Sequence, residues 1–249
     1  MKITRAVVPS LFTILNMFCG FLSITKSSEK EFAMACWFII AAAIFDSLDG
    51  AMARLTKTSS EFGVQIDSLS DIVSFGVAPA FLVYQLSLFQ FEVSGVIISS
   101  LLMVMGGIRL ARFNVQLVGF DKDYFTGLAI PFGAIFIITF ILNFLEGNIL
   151  NPTAENFLIP LIIMTSLLMV SKVRYETLPK FTRSDIRKHP LKIIGFLAGI
   201  TIIIFTKGSG AFYILLFVIL TGLVRHLIVM YKNQQFESKP EEDISSLDI

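Results

Sequence analysis

Long apolar runs with very few charged residues limit the fold of this chain more than any other feature. The first run covers residues 6–24, follows Lys2 and Arg5, and carries Pro9 near its start. An α-helix of about 20 apolar residues spans the hydrocarbon core of a membrane. Proline is tolerated in the first turn of a helix, where its missing N–H is not needed. The run therefore predicts a first transmembrane helix.

Seven further runs follow the first, and composition supports the same interpretation. The sequence is 55% hydrophobic and only 16% charged, with a mean hydropathy of +0.77. Soluble domains carry about 25% charged residues. We expect an all-α, polytopic membrane helix bundle of about eight transmembrane helices, the fifth of them kinked by Pro131. The segments are predicted at residues 6–24, 32–55, 67–88, 93–110, 127–145, 157–170, 193–205 and 211–230.

The polar stretches between and after these runs suggest one membrane domain with a tail. Residues 1–231 are predicted to form a single transmembrane catalytic domain, and the acidic residues 232–249 a disordered tail. Residues 171–192 contain seven Lys or Arg, which suits a segment lying against anionic lipid. The net charge of +1 and the lack of a basic block interleaved with aromatics give no indication of nucleic-acid binding.

Four carboxylates lie beside the apolar runs, within residues 46–71. On a helix, Asp46 and Asp49 are three residues apart and Asp67 and Asp71 are four apart, so each pair projects from one face. A charged carboxylate in this setting is costly unless a cation or a water-lined cavity receives it. Two such faces turned toward each other would form an all-oxygen site, which suits Mg²⁺ or Mn²⁺ better than zinc.

Small residues and one arginine accompany the acids. Gly50, Ala53 and Gly63 leave room for a phosphate or nucleotide to approach the backbone. Arg54, one helical turn beyond Gly50, offers a fixed cation for a phosphate or pyrophosphate. The alternative is that the acids only cap helices and pair with Arg54 and Lys57 at the membrane surface. That alternative would explain one aspartate but fits four poorly.

The spacing of these residues resembles a known signature. All eight specified positions of the CDP-alcohol phosphatidyltransferase family are present, as Asp46-x2-Asp49-Gly50-x2-Ala53-Arg54-x8-Gly63-x3-Asp67-x3-Asp71. Four flanking segments resemble bacterial integral-membrane phosphatidylserine synthases: PSLFTILNMFCGFLSI at 9–24, DSLSDIVSFGVAPAFLVY at 67–84, RLARFN at 109–114 and FTGLAIP at 125–131. The resemblance covers roughly residues 1–135.

This resemblance implies a six-helix catalytic core that transfers the phosphatidyl group of CDP-diacylglycerol to L-serine, giving phosphatidylserine and CMP. It implies two divalent cations, Mg²⁺ or Mn²⁺, with Asp46 and Asp67 bridging both and Asp49 completing one site. Asp71 would be a metal ligand and also the base that takes the proton of the serine hydroxyl. A homodimer among membrane lipids is expected. The implied contacts to the CDP-lipid are Gly50, Ala53, Arg54, Ser60 and Gly63.

Four polar residues outside the signature allow two interpretations each. Thr13 and Asn16, inside the first apolar run, could form hydrogen bonds between helices or contact the nucleotide of the CDP-lipid. Arg109 and Arg112 could reach lipid headgroups or bind an anion of the substrate. That anion would be the carboxylate of serine or the pyrophosphate of the CDP-lipid.

The distribution of positive charge predicts the orientation in the membrane. Eight spans place both termini on one side, and all but three of the 20 Lys and Arg fall on the side of residues 46–71, the exceptions being Lys26, Lys30 and Lys207. Positive charge marks the cytoplasmic side, so we expect a site facing the cytoplasm from the cell membrane. Two alternatives stay open: another acceptor, such as glycerol 3-phosphate or inositol phosphate, and a cation transporter. The sequence shows no internal repeat of the kind common in transporters.

Overall fold

A computed structural model describes residues 7–56, 61–116, 124–176 and 190–237, and most of these residues are helical. Within these ranges the chain forms eight helical segments. The first three are α1 (Val7–Ser28), α2 (Phe32–Thr56) and a long segment composed of α3 (Glu61–Asp71), a π-helix (Ile72–Val77) and α4 (Ala78–Leu86). After a 3₁₀ turn (Leu88–Phe91) come α5 (Glu92–Gln116), α6 (Ile130–Phe144), α7 (Pro152–Val170), α8 (Pro190–Phe205) and α9 (Gly210–Glu237).

The lengths and apolarity of these helices confirm the predicted fold class. Six helical stretches in the described ranges are long and apolar enough to cross a membrane: Leu11–Ser28, Phe32–Met52, Glu61–Leu86, Leu88–Val115, Pro152–Val170 and Gly210–Tyr231. Two apolar helices are shorter, α6 with 15 residues and α8 with 16. The chain is an all-α, multi-pass membrane bundle.

The expected kink at Pro131 is wrong. Pro131 lies in the first turn of α6, where its missing N–H breaks no helical hydrogen bond. Pro160, by contrast, lies in the middle of α7. That helix begins at Pro152, five residues before the predicted segment, because Asn151 caps it by accepting a hydrogen bond from the amide of Thr153 at 3.0 Å.

Several helices extend beyond their apolar runs. The third segment begins at Glu61 rather than at residue 67, and α5 continues to Gln116 rather than ending at 110. Apolar runs mark only the part of a helix that lipid or core surrounds, so polar turns at the ends escape the pattern. The last helix, α9, likewise runs to Glu237, into the stretch predicted as a tail. Residues 238–249 lie outside the described part of the chain.

Two short antiparallel strand pairs, which the sequence did not predict, join the helices. At the end of the bundle that carries the four aspartates, β1 (Tyr124–Thr126) pairs with β4 (Arg174–Glu176). At the other end, β2 (Leu145–Glu146) pairs with β3 (Ile149–Leu150). The ring of Tyr175, in β4, rests on Gly222 of α9, and burial raises the pKa of its hydroxyl to about 12.

The segment that carries Asp67 and Asp71 lies at the centre of the bundle. In its apolar part, 56% of the residues are buried, against 11% for Gly210–Tyr231. The first helix packs against α2, α3, the π-helix and α4, while α5 packs against α7. The last two helices are peripheral; α9 joins the core through Phe212, whose ring stacks on that of Phe136 at 5.3 Å. The two cysteines, Cys19 and Cys36, are buried and free, as packing residues would be.

Candidate active site

Three of the four predicted acids come together between two helices. Asp46 lies near the end of α2, and Asp67 and Asp71 lie on α3. Each offers one carboxylate oxygen, and these three oxygens all lie within 4.8 Å of one another. Asp71 is buried, and the other two are half-buried. The expectation that the two acidic helix faces turn toward each other is thus met for these three residues.

The chemistry of this cluster fits a hard divalent cation. Among the side chains that the structure describes, which do not include that of Arg54, no basic group forms an ion pair with the three carboxylates, whose negative charges repel one another at this separation. The donors are oxygens only, with no His or Cys in the group. Carboxylate oxygens at this spacing and depth can hold Mg²⁺ or Mn²⁺, which prefer such ligands.

The fourth acid, Asp49, stands outside this group of three. It lies one helical turn after Asp46 on α2 and is 7% exposed. Its carboxylate accepts a hydrogen bond from the hydroxyl of Thr13 on α1. Its charge still acts on Asp46 and Asp67, so it belongs to the same electrostatic site.

The first helix forms one wall of the site through hydrogen bonds in both directions. The amide of Asn16 donates to Oδ1 of Asp71 at 3.3 Å. The hydroxyl of Ser70 donates to the carbonyl of Thr13 at 3.0 Å, and that of Ser74 donates to the carbonyl of Asn16 at 2.9 Å. All five residues are buried. The hydrogen bonding between helices that was one interpretation of Thr13 and Asn16 is therefore present, and its partners are the acids themselves.

A π-helix begins at Ile72, directly after Asp71. Its wider turn is seen in the amide of Ala78, which donates to the carbonyl of Val73, five residues earlier. Single π-turns inside α-helices occur often at functional sites. This one lies between the acidic residues of α3 and the apolar helix α4, so it sets the direction in which Asp67 and Asp71 project relative to the rest of the segment.

The two arginines of α5 have different surroundings. Arg109 is 7% exposed, its Nε has no hydrogen-bond partner within the described residues, and its charge acts on Asp71. The guanidinium of Arg112 instead donates to the carbonyls of Val170 at 3.0 Å and Ser171 at 3.4 Å, at the end of α7. Arg112 therefore links α5 to α7. Arg109 faces the acids, and its Nε is available to donate a hydrogen bond.

The remaining predicted contacts are placed only in part. Gly50, Ala53 and Arg54 lie on the last turns of α2, and Gly63 lies in the first turn of α3. The side chains of Ala53 and Arg54 lie outside what the structure describes, and so does Ser60 as a whole. Their contacts with a CDP-lipid stay predictions.

Sequence reasoning missed the residues that hold the acids in place. Ser70 and Ser74 are four apart on one face of the third helical segment, and such a buried polar pair is a signal for contact with a neighbouring helix. The π-helix has no comparable signal in the sequence. The pairing of β1 with β4 joins segments about 50 residues apart, which short-range patterns do not reveal.

Fold and site together define a multi-pass helical membrane protein with a cluster of carboxylates between its helices that is suited to a divalent cation. The family model described as CDP-alcohol phosphatidyltransferase matches residues 6–224 of the chain. The chain belongs to the CDP-alcohol phosphatidyltransferase family.

Curated relatives support this membership over most of the chain. A CDP-diacylglycerol–serine O-phosphatidyltransferase of Helicobacter pylori is 35% identical over 230 residues, 90% of this chain and 92% of that protein. An archaetidylserine synthase of Methanothermobacter thermautotrophicus is 39% identical over 177 residues, 70% of this chain and 72% of that protein. A CDP-diacylglycerol–serine O-phosphatidyltransferase of Bacillus subtilis is 30% identical over 179 residues, 72% of this chain but 95% of that protein.

Proposed function

We propose that this chain transfers the phosphatidyl group of CDP-diacylglycerol to L-serine, giving phosphatidylserine and CMP. The observation that carries the proposal is the cluster of Asp46, Asp67 and Asp71, which brings three signature positions from two helices within 4.8 Å. Serine as the acceptor is supported by the names of the three relatives cited above, two of which are CDP-diacylglycerol–serine O-phosphatidyltransferases and the third an archaetidylserine synthase.

The carboxylates would hold two divalent cations, Mg²⁺ or Mn²⁺. Asp46, Asp49, Asp67 and Asp71 would hold them, in line with the family resemblance. Bound in this way, the cations would neutralise charge on the pyrophosphate and on the departing CMP. The position of Asp49, close to the cluster but outside it, is compatible with a site for a second ion.

The remaining steps of the reaction are proton removal from serine and transfer of the phosphatidyl group. Asp71 takes the proton of the serine hydroxyl, which is a weak nucleophile until it is deprotonated. The serine oxygen then forms a bond to the phosphorus of the phosphatidyl group. The bond from that phosphorus to the oxygen it shares with the CMP portion breaks, and CMP leaves with the electron pair. The depth of the site limits competition from water as acceptor.

Arg109 is the better candidate to bind the carboxylate of serine. It is buried, its Nε is unused within the described residues, and it lies on the side of the bundle that faces Asp71. A guanidinium in this state suits a charge-assisted hydrogen bond to a carboxylate. The donors of Arg112 that contact α7 are already engaged, so a substrate contact from Arg112 would require that tie to open.

The enzyme would act from the cytoplasmic face of the cell membrane. The supporting observation is the distribution of Lys and Arg, most of which lie on the side of the acid cluster. Residues 1–231 would form one catalytic domain, with α9 packed on α6 through Phe212 and Phe136. Assembly into a homodimer stays a prediction.

A product assay tests the proposal. Purified protein in detergent micelles receives radiolabelled CDP-diacylglycerol with L-serine, glycerol 3-phosphate, inositol phosphate or no acceptor. We expect labelled phosphatidylserine with serine and little product otherwise. Efficient transfer to a phosphorylated alcohol but not to serine would overturn the choice of acceptor, and the absence of any CDP-dependent product would overturn the reaction.

Two variants make the assay specific to the site. Asp67→Asn should lose turnover because the cluster loses a charged oxygen ligand. Glu155→Gln is the matched control, since its carboxylate lies at the opposite end of the bundle, where it accepts a hydrogen bond from Ser87 at 2.6 Å. Equal loss of activity in both variants would place the effect in folding rather than in the acid cluster.

A further inference from the structure

The first helix carries a buried polar face that the family signature does not include. Thr13, Asn16, Ser23 and Ser27 are all at most 2% exposed. Their spacing of three, seven and four residues places them on one side of α1. Gly20 lies on the same side and leaves no room for a side chain beside Ser74. Polar groups buried in a membrane bundle are costly unless they are paired, and on this face Thr13 and Asn16 are paired with the acids Asp49 and Asp71.

Asn16 directs its amide to the residue proposed as the base. Its Nδ2 donates to Oδ1 of Asp71 at 3.3 Å, from a helix that contributes no acid to the cluster. A carboxylate has two oxygens, so a donor that occupies Oδ1 fixes the rotation of the group and leaves Oδ2 free. An amide does this without adding a charge next to Asp46 and Asp67.

The helical segment that carries Asp71 in turn fixes the position of Asn16. The hydroxyl of Ser74 donates to the carbonyl of Asn16 at 2.9 Å, and the hydroxyl of Ser70 donates to the carbonyl of Thr13 at 3.0 Å. Ser70 and Ser74 flank Asp71 in the sequence. Donors therefore run in both directions between α1 and the segment of Asp71, which locks the two helices in register along their axes.

We infer that Asn16 is a positioning residue for Asp71: it holds one carboxylate oxygen so that the other points to the reacting hydroxyl and the cations. This rests on the proposed role of Asp71 and differs from a contact between Asn16 and the nucleotide. The inference does not depend on serine, because any acceptor alcohol gives up its proton to the same carboxylate.

The test compares Asn16→Leu, which keeps the branched shape of the side chain and removes the donor, with Ser23→Ala on the same buried face. The hydroxyl of Ser23 has no hydrogen-bond partner in the described part of the chain, which makes it a matched control. Turnover number, Michaelis constants for CDP-diacylglycerol and for the acceptor, thermal unfolding and binding of Mn²⁺ followed by electron paramagnetic resonance are measured for each. The acceptor is the one that the wild type uses best.

We expect Asn16→Leu to lower kcat about tenfold to a hundredfold, the effect of a reacting group misplaced by about 1 Å. Mn²⁺ should bind several-fold more weakly, and KM for CDP-diacylglycerol should stay within about twofold of the wild type, as a retained substrate contact requires. Ser23→Ala should match the wild type throughout. A raised KM for CDP-diacylglycerol at unchanged kcat would make Asn16 a nucleotide contact and overturn the inference, as would wild-type behaviour in every measurement.

A second variant covers the case in which Asn16→Leu does not fold. Ser74→Ala removes the hydroxyl that holds the carbonyl of Asn16 and leaves the amide of Asn16 in place. It should also lower kcat, but by a smaller factor than Asn16→Leu does, and it should leave the Michaelis constants unchanged. An unchanged kcat in folded Ser74→Ala, with Asn16→Leu unfolded, would also count against the inference. A wild type without any transferase activity would instead remove the proposed function, while Mn²⁺ binding would still report on Asn16.

Discussion

Replacing Gly20 by alanine should disable the enzyme without touching any group that contacts substrate. At Gly20, α1 passes close to the π-helix. A Cβ added there would collide with Oγ of Ser74 and lie 2.8 Å from its Cα. The hydroxyl could rotate away, but the Cα belongs to the backbone and can move only with its helix. The substitution therefore forces the two helices apart.

The size of this displacement can be worked out from the contact distances. Ordinary contacts begin at 3.4 Å, so a separation of 2.8 Å must grow by about 0.6 Å. The hydrogen bond from Asn16 to Asp71 is already 3.3 Å long, and at about 3.6 Å such a pair is no longer bonded. We expect kcat to fall about tenfold to a hundredfold. Overpacking of this kind costs about 1–3 kcal/mol of stability, which leaves a membrane bundle folded.

Steady-state kinetics and thermal unfolding in one detergent would measure both effects. Gly195→Ala on α8 is the control, because a Cβ at that position meets no atom within 4 Å. Alanine is a better helix former than glycine by about 1 kcal/mol, so this control should be unchanged or slightly more stable. A Gly20→Ala protein with wild-type kcat and wild-type stability would refute the account of α1 as a wall that orients Asp71.

Four further outcomes are expected. Asp71→Asn should lower turnover at least about a hundredfold while CDP-lipid binding persists, because the amide keeps the shape and loses the base; wild-type turnover would remove Asp71 from the mechanism. Chelation should abolish activity, and Mg²⁺ or Mn²⁺ but not zinc should restore it; full activity in chelated protein would contradict the metal assignment. Arg109→Ala should raise KM for serine about tenfold to more than a hundredfold, because a charge-assisted hydrogen bond of about 1.5–3 kcal/mol is lost. KM for CDP-diacylglycerol should stay unchanged. Arg112→Ala should lower thermal stability instead, since it unties α5 from α7; a serine-specific effect in this variant would reverse the roles of the two arginines.

The helical bundle was predictable because apolar length alone defines it. Runs of about 20 residues such as 32–55 have few alternatives to a transmembrane helix, and the structure has helices at all eight predicted positions. The ends of the helices were not predictable from apolarity. The first turn of α3, from Glu61, mixes Glu and Gly with Phe62 and Val64, and its helical state depends on backbone hydrogen bonds that any residue can make.

The acids of the site could be predicted from the sequence, but the residues that hold them in position could not. The spacing of Asp67 and Asp71 is a local property, so it places both carboxylates on one face before any tertiary contact is known. The contact of Asn16 with Asp71 joins residues 55 apart in the sequence. Nothing in the sequence near Asn16 distinguishes an amide that packs between helices from one that reaches a nucleotide. Only the packing of α1 on the π-helix separates the two.

The π-helix after Asp71 favours the geometry of the active site at the expense of the stability of the helix that carries it. In Ile72–Val77 each hydrogen bond spans five residues instead of the four of an α-helix, and one inserted residue corresponds to a rotation of about 100° between the acids and α4. Regular α-helical hydrogen bonding would be the more stable choice for these residues, but it would turn Asp67 and Asp71 away from Asp46 while α4 stayed packed. A change that makes these residues regularly α-helical should therefore raise thermostability and lower activity. The irregular turn is part of what keeps the three carboxylates together.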